Sequence, residues 1–196
     1  MPSETASPAP RTRILDAASE AFYRQGIAAV GVDAIVADAG VAKSTLYRHF
    51  PSKDDLIVAF LRRRDERWRA WLRAEVERLS PDPAERPLAV FDALGGWFAS
   101  DGFRGCAFIN AAAEIADPVH PARAAVQEHK RLCGEYLAEL LRDAGRPGAV
   151  DEAAALLLLM EGAMVSALIE RHPGPAARAR AAAAAILDHP RPREDR

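Results

Sequence analysis

Residues 32–50, VDAIVADAGVAKSTLYRHF, restrict the fold more than any other stretch of the chain. Ile35 and Ala39 fall on one side of a first short helix. Gly40 stands where a tight turn needs positive φ, which glycine adopts without a Cβ clash. Val41 fills the junction. Leu46 and Phe50, four residues apart, lie on the inner face of a second helix. Two short helices crossing around a glycine turn form a helix-turn-helix. A plain helical hairpin with a solvated outer face also has such a glycine, so the outer face has to separate the two.

At 100° per residue, Ser44 and Arg48 lie about 160–200° from Leu46, and Thr45 and Tyr47 flank them about 100° to either side. Lys43 opens the helix and His49 nearly closes it. This stripe is small, polar and rich in hydrogen-bonding groups, which suits the major groove of DNA. An arginine at position 48 can donate two hydrogen bonds to a guanine, a contact worth about 1–3 kcal/mol of discrimination. Thr45, Tyr47 and Lys53 suit phosphates, helped by the N-terminus of the helix that follows.

The rest of the chain reads as helices, with no run alternating at period two. Helix one covers about 11–25, with Ile14, Ala18, Ala21 and Phe22 on one face and Gly26 as a stop. Helices two and three lie within 32–50. Helix four begins at Ser52, where Ser52 and Asp55 resemble a capping box, and runs to about 79. Five more helices are expected near 84–100, 105–116, 121–144, 151–171 and 176–188, separated by Asp-Gly, Asp-Pro, Pro-Gly and His-Pro-Gly-Pro breaks. The predicted fold class is therefore all-α with about nine helices. The predicted divisions are a disordered tail over 1–10, a helix-turn-helix domain over 11–53, a larger helical domain over 54–188, and a second tail over 189–196.

Charge agrees with this division. The net charge is −2, but residues 1–80 hold 13 Lys/Arg against 11 Asp/Glu, and the remainder 13 against 17. The small positive excess sits with the segment expected to face DNA. Cys106 and Cys133 form no CxxC pair or Cys/His cluster and read as free thiols of a reducing cytoplasm. The N-terminal residues carry no apolar signal stretch. The longest apolar run, 153–169, is interrupted by Glu161 and is shorter than the ~20 residues that span a bilayer, so it reads as a buried helix and no membrane partner is expected.

AGVAKSTLYRHFPSKDDLI resembles the signature of the TetR family of bacterial regulators, AGVSxGTLYxHFxSKExLL. The match covers residues 11–60; beyond them only length and helical layout are similar. The resemblance implies a three-helix DNA-binding domain, a helical ligand-binding domain, and a homodimer bound to a near-palindromic operator. By motif position it makes Lys43, Ser44, Thr45, Tyr47, Arg48, His49 and Lys53 the base- or phosphate-contacting candidates. Two departures stand out. Val30-Gly31 replaces the Thr or Ser that usually caps helix two and meets a phosphate, and Val36 replaces a usual alanine.

The larger domain is expected to sense a ligand and to dimerise. Residues 153–169 are apolar almost all round, and 176–188 present small side chains. Helices near 151–171 and 176–188 therefore suit a four-helix bundle across a two-fold axis. Trp68, Trp97, Phe98, Phe103, Phe108, Met160 and Met164 are candidates to line an apolar cavity, with Asn110, Glu114 and His129 as its polar contacts. The expected effector is an apolar or amphipathic small molecule that releases a repressor from its operator. His120 and His129 are nine apart and do not share a helix face for a metal. HExxH, P-loop, GxSxG and GxGxxG patterns are absent, so no metal, cofactor or catalytic residue is expected. Two other readings stay open from the residues alone: a helical small-molecule enzyme using His129 or Cys106, and an interaction protein with a degenerate helix-turn-helix.

Overall fold

The computed structural model describes residues 8–188. The expected tails, 1–10 and 189–196, lie outside these residues except for 8–10. Among the described residues there are nine α-helices and no strand: α1 Pro10–Gln25, α2 Val32–Ala39, α3 Lys43–His49, α4 Lys53–Leu79, α5 Arg86–Phe98, α6 Ala107–Glu114, α7 Ala122–Asp143, α8 Ala149–Glu170 and α9 Gly174–Asp188. The helices group into two compact units. One comprises the described residues up to Asp65 together with Ala107–Val126. The other comprises Glu66–Cys106 together with the described residues from Gln127 onward. The domain boundary expected at 53/54 differs from this grouping, in which the start of α4 and all of α6 belong with the helix-turn-helix.

In the first unit, α1 buries Ile14, Leu15, Ala17, Ala18 and Phe22, and packs against α2 and α3. Ile35 (1% exposed), Leu46 (0%) and Phe50 (2%) complete this core. Full burial of one such side chain contributes about 1.5–3 kcal/mol, which matters where two of the helices are 8 and 7 residues long. Short helices of this kind are held by packing rather than by propensity. α2 ends at Gly40, whose φ of 61° is left-handed; the turn closes as the Gly40 N–H donates to the Ala37 carbonyl and the Val41 N–H to that of Val36.

The start of α4 is fixed by the box expected from the sequence. The Asp55 N–H donates to Ser52 Oγ (3.0 Å), and the Ser52 hydroxyl donates to Asp55 Oδ2 (2.7 Å). The first part of α4 is then fastened to α1. Phe60 lies 5.6 Å from Phe22 between ring centroids. The Arg63 guanidinium donates to Asp16 Oδ1 (2.7 Å), to the Leu15 carbonyl (2.6 Å) and to Ser19 Oγ (2.6 Å).

In the second unit, α8 packs on α9, and α5 packs on both. Val90, Leu94, Leu156, Met160, Met164 and Ala183 are buried there. By length and composition α8 is apolar enough to cross a membrane, a test that the core helix of a soluble protein also passes. One side of α8 is in the core, whereas Leu158 (71% exposed) and Ile169 (74%) point to solvent.

α6 is shorter than the expected 105–116. Gly105 has a φ of 78°, outside the helical region. After Glu114, the Ile115 carbonyl accepts a hydrogen bond from Arg123 (2.5 Å), a side chain rather than the next helical turn.

Two substitutions test these ends. Gly40→Ala places a Cβ in a left-handed conformation and is expected to destabilise by about 1–2 kcal/mol. Ser52→Ala removes the α4 cap and is expected to cost about 0.5–2 kcal/mol. Denaturant unfolding at fixed protein concentration measures both, and an unchanged midpoint for Gly40→Ala would show that the turn does not depend on glycine.

Candidate functional site

The packing of Leu46 and Phe50 settles which side of α3 faces outward. Lys43, Ser44, Tyr47 and Arg48 are exposed, and Thr45 and His49 are half-buried at the margins. This is the stripe expected from the sequence, with Tyr47 43% exposed. Arg48 Nη2 donates to Thr45 Oγ1 at 3.2 Å, so the guanidinium lies along its own helix. Lys43 Nζ is 2.7 Å from Asp33 Oδ1 on α2. The hydrogen bond to Asp33, with its negative charge, raises the Lys43 pKa above the ordinary lysine value. That ammonium remains charged in any physiological buffer and is already shared with a carboxylate.

Lys53, the first residue of α4, is half-buried. Its Nζ donates to the Ile27 carbonyl (2.8 Å) and lies 5.9 Å from the centre of the Phe22 ring. The same cation therefore braces the α1–α2 loop. At the start of α2, Gly31 is the cap residue, with φ −84° and ψ 156° and no side-chain hydrogen bond. The missing hydroxyl noted in the sequence has no side-chain substitute at that position.

The sensor candidates divide between the two units. Phe108, Asn110 and Glu114 lie on α6 in the first. Phe108 is buried, Asn110 is half-buried and Glu114 is exposed. The Glu114 carboxylate accepts the Ala28 N–H at 2.8 Å. It also packs so closely over Gly26 that a Cβ there would stand 3.0 Å from Oε2; Gly26 has a φ of 93°. Glu114 thus ties α6 to the end of α1, a role invisible in sequence because its partner is 86 positions away.

The remaining candidates lie in the second unit. Trp68 is 5.8 Å from Trp97 and 5.5 Å from His129 between ring centroids. Trp97 is 5.0 Å from Phe103 and 5.9 Å from Phe98. Trp71, which the sequence reading left out, joins them at 6.2 Å from Trp68 and 6.1 Å from Trp97. Its signal was the three-residue spacing from Trp68, which places both rings on one side of α4. His129 is 3% exposed, and its Nε2 is 3.5 Å from Cys133 Sγ. Met160 and Met164 are buried on α8. A separate cleft at the α7–α8 loop is lined by Arg142, Arg146 and Pro147 to Asp151. There Arg146 is already engaged by Glu152 and by the Leu187 carbonyl.

The chain matches known proteins over most of its length. Residues 14–60 match a family model described as bacterial regulatory proteins, tetR family, and residues 83–183 match one described as a tetracyclin repressor-like C-terminal domain. Among solved structures, SCO4454, a TetR-family transcriptional regulator from Streptomyces coelicolor, is 37% identical. The similarity covers 91% of this chain and 94% of that one, with a TM-score of 0.83. The HTH-type transcriptional activator FasR of Mycolicibacterium smegmatis is 36% identical over 96 residues, 48% of this chain and 43% of FasR. The HTH-type transcriptional regulator LmrA of Bacillus subtilis is 27% identical over 169 residues, 84% of this chain and 89% of LmrA. The aligned stretch thus spans less than half the length of FasR but most of LmrA. A polar stripe on α3, held outward by a glycine turn and followed by a helical C-terminal region that also matches, places the chain in the TetR family of bacterial transcriptional regulators.

Proposed function

We propose that the chain is a cytoplasmic, homodimeric repressor, not an enzyme, that binds a near-palindromic operator and leaves it when a small apolar or amphipathic molecule binds its C-terminal region. The observation that carries this reading is the outward stripe of α3, where Lys43, Ser44, Tyr47 and Arg48 are exposed above a closed core. The repressor sign draws on the match of residues 83–183 to a tetracyclin repressor-like domain. FasR carries the opposite sign in its name, so the direction needs its own test.

Within the stripe, Ser44 and Arg48 read bases. Lys43 and His49 act at the two ends of the helix, and Thr45, Tyr47 and Lys53 hold phosphates. Two of these groups must change partners on binding. Arg48 must swing away from Thr45, and Lys43 must share itself between Asp33 and a phosphate. Both contacts are exposed and exchange readily for charge-assisted bonds to nucleic acid.

The dimer uses α8 and α9. Its support is the apolar side that α8 leaves uncovered, with Leu158 71%, Val165 40% and Ile169 74% exposed, beside the alanine-rich α9. Apolar side chains at this spacing suit an isologous helix pairing.

Four outcomes test the proposal. Arg48→Ala should weaken the preference at one symmetric operator position by about 1–3 kcal/mol, measured by binding to single-base operator variants. Asp33→Asn should release Lys43, strengthen binding to all sequences and make the salt dependence of log K steeper by about one counterion. Leu158→Glu with Ile169→Glu should convert a dimer to a monomer in sedimentation and abolish operator binding. A reporter under the operator should rise when the protein is absent; a fall would make it an activator. Operator preference untouched by Arg48→Ala would contradict the assignment of the α3 face.

A further inference from the structure

Among the described residues, three buried side-chain polar atoms have no hydrogen-bond partner: Arg13 Nε, Trp68 Nε1 and Tyr136 Oη. Trp68 differs from the other two in its surroundings. It is 8% exposed and sits among the rings of Trp71, Trp97 and His129, at centroid distances of 6.2, 5.8 and 5.5 Å. Trp71, Trp97 and Phe103 are each half-buried. The ring cluster thus has a side open to water, and its buried member, Trp68, carries the orphaned indole N–H.

An indole nitrogen only donates. Left unsatisfied in a buried site, it favours whatever brings an acceptor to it. The surrounding rings set the other requirements. Their faces and edges accept flat, apolar groups in stacked or edge-on contact. From the indole N–H an ionised acceptor would gain one neutral hydrogen bond against the loss of its hydration, a poor exchange.

From this arrangement we infer that Trp68 Nε1 is the polar anchor of an effector site in the second unit. The effector class is a flat, uncharged ring compound bearing a carbonyl or comparable acceptor. This deepens the effector part of the proposed function and rests on it. Trp71, Trp97 and Phe103 are the rings that part to admit the ligand. The acceptor reaches the indole N–H, and the rest of the ligand replaces ring–ring contacts with its own. Neither Asn110 nor Glu114 is needed for this anchor.

The chain contains only three tryptophans, all in this cluster. Three indole N–H signals in a ¹H–¹⁵N spectrum of the full chain therefore report on it directly. Trp68→Phe, Trp71→Phe and Trp97→Phe assign them, and any two suffice if the third variant does not fold. The probes are 1-tetralone and tetralin, bicyclic molecules that differ by one carbonyl. The Trp68 indole proton is expected to move downfield with 1-tetralone and not with tetralin. Calorimetry should give 1-tetralone the lower Kd by about 5- to 150-fold, the scale of one satisfied buried donor. Trp68→Phe should keep tetralin binding and bring the two Kd values within about twofold.

Three results would overturn the inference: a Trp68 signal unmoved by saturating 1-tetralone, a ketone preference that survives Trp68→Phe, or a Trp68 proton already at a hydrogen-bonded position without ligand, which would assign it to a buried water. Operator binding is measured on the same preparation. Intact operator binding with any of these results removes the anchor alone. Loss of operator binding by the ligand-free wild type removes the regulator reading itself.

Discussion

The left-handed turn at Gly40 governs the geometry of the helix-turn-helix. With φ at 61°, it reverses the backbone within two residues of α2, so that Leu46 and Phe50 enter the core that Ile35 and α1 have begun. Once those two side chains are buried, the helical period leaves Ser44 and Arg48 on the opposite side of α3. Seven residues cannot hold a helix by propensity alone, and the orientation of the polar stripe follows from apolar contacts on its back. The chemistry of the outer face is therefore set by residues that never touch solvent.

The charges around that face are held in reserve. Lys43 is shared with Asp33, Arg48 with Thr45, and Lys53 with the Ile27 carbonyl. The exposed contacts of Lys43 and Arg48 can be exchanged when a partner arrives, whereas that of Lys53 is also part of the scaffold. Lys53 is the extreme case, because the group that the sequence reading assigns to a phosphate also stabilises the loop that leads into α2. A substitution there changes the scaffold as well as the surface.

Most of the first unit could be read from the sequence because its determinants are local. The Gly40 turn, the four-residue spacing of Leu46 and Phe50, and the Ser52–Asp55 box each lie within a few positions of one another. The contacts that the sequence does not report act over distance. Glu114, expected as a polar contact of a ligand cavity, accepts the Ala28 N–H, and no helical period reports such a pairing. Trp71 stands one turn from Trp68, and only its neighbours across the second unit reveal it as part of a ring cluster. The run 153–169, expected to be buried, is buried on one side only, because α5 and α9 cover a limited arc of it. The uncovered arc is the one assigned above to a second copy of the chain.

The outer face of α3 is proposed to read a two-fold symmetric DNA site. Hydroxyl-radical footprinting of the purified protein on the DNA flanking its own gene tests it most directly. Protection is expected in two symmetric half-sites about one helical turn apart, centred on successive major grooves, with affinity falling steeply as salt rises. Protection without symmetry, or none at low salt, would contradict it.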